Sequence, residues 1–404
     1  MESETTIRLA DRARGISTSP TMAIDARAKQ MTREGIHVIS FGVGEPDFDT
    51  PVTIKEAAIA ALNKGFTKYT SVAGIEDLKQ AIVDKLKTDN DLEYSTGQIV
   101  VSNGAKHSLY NLFQVMVNPG DEVIVPAPYW VSYVEMIKLA GGVPCVIRTR
   151  EENDFKLTPA DLEKNINPRT KLLILNSPSN PTGSVYTRRE LEALGEVLVR
   201  YRLPVISDEI YEKLLYDGQE HVSLATLSPE LKELVILVNG VSKSYAMTGW
   251  RIGYLAAPLP IAQAVADLQS HSASNPNSFA QWGALEALRG SQESAKEMVA
   301  HFATRREYIL ERLQGLEGIT CRRPGGAFYV FPNVSIAFGK RYRDELIQDA
   351  ADLAKVLLTY GRIAVVPGVA FGVEGYLRLS YATNRKNIEE GINRFAVVWN
   401  ELKA

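Results

Sequence analysis

The sequence predicts an α/β protein, with a large domain on a mostly parallel central sheet and a smaller α+β domain beside it. Three observations point there. From about residue 90 to 257, short apolar runs alternate with helix-length amphipathic segments. The runs (QIVVS, DEVIVP, VPCVI, KLLILN, LPVISD, LVILV and YLAA) are often β-branched, continuous rather than alternating, and bounded by turn residues. Strands buried on both faces look like this, and a spacing of about 30 residues per strand–helix unit is that of a parallel sheet. After about residue 290 the rhythm changes to longer helical patterns separated by isolated strand-like runs, the mark of a separate, smaller unit.

The elements follow in order. Residues 1–20 are polar, with weak periodicity, and read as an N-terminal arm. HVISFGVGEPDFDTP (37–51) is a brief strand and then a Gly- and Pro-rich loop. Pro51 starts a helix that Thr50 or Asp49 can cap and Gly65 can end. A second helix covers about 75–88, and the strand–helix units come next. Beyond them the sequence predicts a helix over 293–316, a strand in AFYVF (327–331), a helix over 344–359, strands in IAVVP and YLRLSY, and a closing helix. The large domain is expected over 50–290, and the small one over 21–49 plus 291–404.

Composition narrows the function. The chain has 404 residues, 45% hydrophobic and 23% charged, enough for two domains and a sizeable core. With 45 basic and 48 acidic residues, a net charge of −3 and no basic stripe, nucleic acid and anionic membrane are poor partners. The two cysteines, Cys145 and Cys321, make no disulfide framework and fit a reducing cytoplasm as buried, inert thiols. MESETTIRLADRARG lacks the apolar core of a signal peptide, and no apolar run approaches the ~20 residues of a membrane span. The five histidines are scattered and form no HExxH, so no metal is expected. GVGEP (42–46) lacks the third glycine of a dinucleotide fingerprint, and neither a GxSxG elbow nor a Walker lysine is present.

In an open α/β sheet, ligands bind at the carboxyl ends of the strands. QIVVS ends in Asn103-Gly104-Ala105-Lys106 and an apolar helix, a turn whose amides and helix dipole suit an anion. KLLILN ends in SPSNPTG with Asn180, and LPVIS in Asp208-Glu209-Ile210-Tyr211. LVILV ends in Ser242-Lys243-Ser244, with Arg251 eight residues on, placed to meet an anion. A lysine held at such a rim is partly desolvated and easier to deprotonate, as a Schiff-base lysine must be. Each item alone has a structural reading: a helix start, a turn amide, a cap, a core tyrosine, a surface lysine. Together they suit a cofactor with a phosphate, an aldehyde, a pyridine nitrogen and a ring oxygen. Pyridoxal 5'-phosphate (PLP) carries all four.

GEPDFDTP, KYTSVAGIEDLK, NSPSNPTG, SDEIYEKLLYDG, SKSYAMTGWRIGY and YLRLSYA together resemble the class I/II aminotransferases of PLP fold type I, in the right order over nearly the whole chain. They are most similar to the bacterial aspartate aminotransferase subgroup that carries a lysine in the anion-cradle turn. The resemblance implies that Lys243 is the Schiff-base lysine and general base, that Asp208 pairs the pyridine nitrogen, and that Asn180 and Tyr211 bond the ring oxygen. It implies that Gly104, Ala105 and Lys106 form the phosphate-side turn, with Ser242 and Arg251 on the phosphate and Trp130 stacked on the ring. It further implies that Tyr69 reaches the phosphate of a neighbouring subunit in a homodimer, and that Arg378 grips the substrate α-carboxylate with the Gly44 backbone beside it. Another subgroup has an arginine for the distal carboxylate just before its SNP segment. QSHSASNPNSFAQ (269–281) has none; in the subgroup this chain resembles more closely the cradle-turn lysine takes that role, which implies Lys106, with Thr21 and Ser19, as the ligands here. Pro128 and Pro181 match positions that are often cis. The expected reaction is ping-pong transfer from L-aspartate to 2-oxoglutarate, giving oxaloacetate and L-glutamate. Prephenate or aromatic oxo acids are the alternative, and a PLP β/γ-lyase a more distant one.

Overall fold

In the computed structural model, residues 9–18 and 20–403 are described. A seven-stranded sheet forms the centre of the larger layer. Its strands run in the spatial order Ile99–Ser102, Gly253–Ala256, Val235–Gly240, Val205–Asp208, Thr170–Asn176, Glu122–Ala127 and Val143–Arg148. Only Gly253–Ala256 runs against the others. All seven apolar runs singled out in the sequence are strands of this sheet.

The reason for their continuous apolar character lies in the two cores. Leu173 and Leu175 face one core with Val205 and Leu237, while Leu172 and Ile174 face the other with Ile206 and Ile236. Side chains alternate across a strand, so a strand covered on both faces needs apolar residues at every position. Val143–Arg148 is the exception at the edge. It is largely exposed and tolerates Pro144, which has no amide to give to a further strand.

A second body of structure packs beside the sheet. Leu377–Ser380 lies between Val366–Pro367 and Tyr329–Val330, antiparallel to both. Ile39–Ser40 pairs in parallel with Ile363–Ala364, so the chain before residue 50 joins residues distant in sequence. Ile39 and Phe41 enter one core with Ile309, Leu379, Ile392 and Phe395. The helices Glu293–Gln314 and Arg385–Asn400 cover that core.

Several local expectations are corrected. The helix expected over 344–359 begins at Ala350, because the Asp349 side chain accepts the Asp352 amide and caps it there. Residues before it form a small hairpin, Arg341–Tyr342 against Glu345–Leu346, and a π turn at Leu357–Gly361 follows the helix. The helix expected from Pro51 starts at Val52 with Pro51 as its cap residue and no side-chain cap. Thr50 instead donates to the Ala246 carbonyl at 2.6 Å, tying this corner to the loop after Lys243. Pro20–Arg33 is a helix that the sequence did not announce: only Ala28 and Met31 are buried, so its apolar face is too narrow to stand out. The peptides before Pro128 and Pro181 are cis as expected, and so is the one before Pro178. Cys145 and Cys321 are free and part-buried. Burial pushes the Cys321 thiol up to about 12, in keeping with an inert role.

Candidate active site

The strand ends converge on a cleft of about 560 Å³, within the range of small-ligand sites. Lys243, Asp208, Tyr211, Asn180 and Arg378 all line it. So do Ala105, Lys106, Trp130, Ser242 and Arg251 from the sheet layer, and Gly44 and Thr21 from the N-terminal part. Gly104 supports the wall. Tyr69 does not join the cleft of its own chain; it stands 90% exposed. Ser19 lies outside the described residues.

Lys243 sits in the loop after Val235–Gly240, and its ammonium donates to the Gly44 carbonyl at 2.5 Å. Burial pushes its pKa down to about 8. Glu45 opposes the fall, while the charges of Arg251, Arg378 and Lys106 add to it. Asp208 ends its strand and is 4% exposed. It accepts from the Tyr133 hydroxyl at 2.5 Å and the Ile210 amide at 3.3 Å. Burial pushes its carboxyl up to about 6, against the pull of Tyr133, Ile210 and Lys243.

Tyr211 and Tyr329 share a hydrogen bond of 2.8 Å between their hydroxyls. Asn180 accepts from Arg378 Nη1 at 2.9 Å, while its own amide donates to Asn176 Oδ1 at 2.9 Å. Arg378 also donates to the Gly42 carbonyl, at 2.6 Å, and its guanidinium lies over the rings of Tyr329 and Phe371. Its Nε is buried without a partner. Among the described residues, none of the bonds made by Arg378, Arg251 or Lys243 ends on a carboxylate: Arg251 donates to the carbonyls of Thr248 and Asn103. Lys106 lies 4.9 Å from the centre of the Trp130 ring. Such an assembly of cations, paired only with neutral oxygens and aromatic faces, suits phosphate and carboxylate groups.

The turn at the start of the helix Ala105–Met116 is tightly built. Gly104 has φ +85°, and a Cβ there would come within 2.2 Å of Arg251 Nη2. Only glycine lets the backbone close on that guanidinium. Helix-start amides have no intrahelical acceptor and face the same space. The cleft therefore gathers a turn suited to an anion, a buried carboxylate suited to a protonated nitrogen and an amine of lowered pKa. These suit the phosphate, the ring nitrogen and the aldehyde of PLP. The buried, unpartnered Nε of Arg378 is a further donor at the cleft.

The sequence missed Tyr133, Tyr329, Asn176 and Gly42. Tyr133 stands three residues after Trp130, a helical spacing that could have flagged it. Tyr329 lies in a run that reads only as strand. The segment 269–281 lends no charge to the cleft: Gln269 donates to the carbonyls of Val72 and Val101, and Gln281 to that of Pro276.

The sheet and the cation-rich cleft at its strand ends fit a PLP-dependent enzyme of fold type I. A profile of the family "Aminotransferase class I and II" matches residues 36–395. An aspartate aminotransferase from Bacillus sp. (strain YM-2) is 50% identical, over 96% of this chain and 97% of that protein. An aspartate/prephenate aminotransferase from Nitrosomonas europaea is 46% identical, over 96% of this chain and 99% of that protein. The crystal structure of the Rhizobium meliloti aspartate aminotransferase superposes with a TM-score of 0.95 at 41% identity, covering 98% of this chain and all of that one. The Thermus thermophilus aspartate aminotransferase with maleate gives 0.91 at 42%, covering 97% of this chain. The chain belongs to the class I and II aminotransferases, and its cofactor is pyridoxal 5'-phosphate.

Proposed function

We propose that this enzyme transfers the amino group of L-aspartate to 2-oxoglutarate by a ping-pong route, and that the residues gathered in the cleft carry the reaction. The observation that carries this reading is Arg378: a 2%-exposed guanidinium whose bonds all end on neutral oxygens, facing the amine of Lys243 across one cleft. A buried cation without a counter-ion is costly unless a ligand brings the anion, and an amino or oxo acid brings a carboxylate.

The cofactor supplies an aldehyde that takes up amines and a protonated ring that withdraws electrons. Lys243 would hold the cofactor through that aldehyde, and its Nζ would take and return the substrate α-proton. A pKa of about 8 puts the neutral amine within reach near neutral pH. Asp208 would hold the proton on the ring nitrogen, Asn180 and Tyr211 would bond the ring oxygen, and Trp130 would cover the ring face. The turn at Gly104, Ala105 and Lys106 would take the phosphate with Ser242 and Arg251. Arg378 and the Gly44 backbone orient the α-carboxylate. Lys106, with Thr21, meets the distal carboxylate. Partial enclosure and the charge of Arg251 push the Lys106 ammonium below the usual lysine range.

Half-reaction spectra of the purified enzyme against a panel of amino acids test this directly. Aspartate and glutamate should bleach the bound cofactor's absorbance fastest, with one glutamate formed per aspartate consumed. Release of pyruvate and ammonia from a β-substituted amino acid would instead place the chemistry at the side chain.

A second substrate reading has its own observation. A neighbouring cleft of about 680 Å³ shares Lys106 and Arg251 and is walled by Tyr110, Met136 and Leu139. That apolar space suits a bulkier oxo acid such as prephenate, the acceptor in the name of the Nitrosomonas relative.

The site is also proposed to be shared between two subunits. Tyr69 is exposed, and Ile59, Leu62 and Phe66, which precede it in the chain, are exposed too. Large apolar and aromatic side chains left out in this segment suit a second copy of the chain. Residues 21–49 with 291–404 are proposed to close over 50–290 when a dicarboxylate binds; unchanged compactness in solution scattering with a substrate analogue would argue against closure. No helix among the described residues is long and apolar enough to cross a membrane, and a cytoplasmic location is proposed with it.

A further inference from the structure

The hydroxyl of Tyr133 is the only side-chain donor to the Asp208 carboxylate among the described residues, at 2.5 Å. Its ring belongs to the core on one face of the sheet, with Val125, Met136 and Ile174, so the hydroxyl reaches the cleft from a fixed base. The same ring meets Trp130 edge-to-face, with centroids 5.3 Å apart. One side chain thus touches both the carboxylate proposed for the ring nitrogen and the indole proposed for the ring face.

We propose that Tyr133 is a positioning residue whose hydroxyl fixes the Asp208 carboxylate and sets on which atom, Asp208 Oδ or the ring nitrogen, their shared proton rests. This rests on the reading of Asp208 as the partner of that nitrogen.

The argument is one of competing acidities. Burial raises the proton affinity of Asp208, and the neighbouring Glu209 raises it further. Tyr133 opposes both by donating to the ionised form; the Ile210 amide does the same, and Lys243 helps through its charge. On the remaining side, Asn176 Nδ2 bonds the Asp208 backbone carbonyl rather than its carboxylate. Without the phenol the carboxylate keeps one amide donor and a distant ammonium. The proton then moves toward Asp208 and the ring nitrogen loses charge. A phenol serves this role because it donates without adding a charge, and burial with the adjacent carboxylate holds it protonated.

Tyr133→Phe removes the hydroxyl and keeps the ring against Trp130. In cofactor-free enzyme with 13C-labelled aspartate, the Asp208 carboxyl (assigned by its loss in Asp208→Asn) should titrate near pH 6 in the wild type and higher in Tyr133→Phe. The dissociation constant of pyridoxal phosphate should rise about ten-fold, the scale of one hydrogen bond to a charged group. kcat should fall with the KM for aspartate nearly unchanged. A melting temperature equal to the wild type in the cofactor-free state separates this from a packing defect. Should the variant melt early, 3-fluorotyrosine at position 133 keeps the packing, strengthens the donor and should lower the Asp208 titration instead. An Asp208 titration unmoved by either change overturns the proposal. Wild-type cofactor affinity in Asp208→Asn would instead sink the reading of Asp208, whatever Tyr133 does to the titration.

Discussion

Arg378 and Asn180 lie 198 residues apart in sequence, yet Arg378 Nη1 donates to Asn180 Oδ1 at 2.9 Å. The bond joins the turn after the strand Thr170–Asn176 to the strand Leu377–Ser380 of the second body, so one contact aligns the proposed substrate anchor with the proposed cofactor contact. Arg378→Lys keeps the charge and loses the fork that can hold Asn180, Gly42 and a carboxylate together. We expect kcat/KM for aspartate to fall by about 100-fold, roughly 3 kcal/mol. The loss should be equal for alanine, which shares the α-carboxylate. A defect confined to aspartate would contradict this assignment.

Lys243 must be neutral to capture the cofactor aldehyde. Because burial lowers its pKa to about 8, about one amine in ten is free at pH 7. The capture rate of cofactor-free enzyme should rise about ten-fold from pH 6 to 7 and level off above 8. The sign for stability follows. Between about 8 and the ordinary 10.5, the folded chain holds fewer protons than the unfolded one, so stability rises with pH through that window. Stopped-flow capture and denaturant melts across pH 6–10 check both. Lys243→Ala should lose turnover and keep the fold.

Lys106→Ala tests the distal-carboxylate assignment. The KM for aspartate should rise at least ten-fold and that for alanine or phenylalanine about two-fold or less, a difference of ~1 kcal/mol or more. Equal losses on all donors would place Lys106 on the phosphate rather than on the substrate side chain.

Gly104→Ala should weaken cofactor binding before it weakens the fold. The added methyl would meet Arg251 Nη2 at 2.2 Å in a backbone of φ +85°. Displacing Arg251 opens the phosphate end. Equilibrium dialysis should report a pyridoxal phosphate dissociation constant at least ten-fold higher, and an unchanged constant would show that the turn has more room than its geometry indicates.

A buried charge network braces the segment that carries Asp208 and Tyr211. Lys85, from the helix Glu76–Asn90, pairs with Glu212, and Asn90 donates to Glu212 at 3.0 Å. His221 bonds Glu209 at 2.7 Å. Burial pushes the Glu212 carboxyl up, but Lys85 and His221 outweigh it and hold it down at about 2. Its stabilisation is present above the ordinary 4.5 and is lost as pH falls toward 2. Lys85→Met strands Glu212 and should destabilise by ~3–5 kcal/mol, with Lys85→Met/Glu212→Leu recovering most of it. Urea melts at pH 7 and pH 4 would reveal both effects.

The central sheet was legible because its strands are buried twice. Leu172 to Leu175 must all be apolar, and a continuous run between turn residues is hard to read otherwise. Asn180, Asp208 and Lys243 were legible because they lie at or just past strand ends, where an α/β sheet presents ligand contacts, whereas Trp130 and Arg378 came only from the resemblance. The edges of that reading failed where tertiary contacts chose the outcome. Asp349 begins a helix that periodicity alone starts earlier, and Thr50 leaves its expected cap to bond Ala246.

The sequence by itself determined the sheet, the order of its strands along the chain and the polar residues that line the cleft at four strand ends, because hydrophobic period and turn chemistry are local. Only the tertiary structure decided which neutral groups surround Arg378, that Tyr133 and Tyr329 reach the cleft, and how far burial moves Lys243 and Asp208. Those properties depend on residues up to hundreds of positions apart and on the exclusion of water from between them, and neither leaves a periodic trace in the chain.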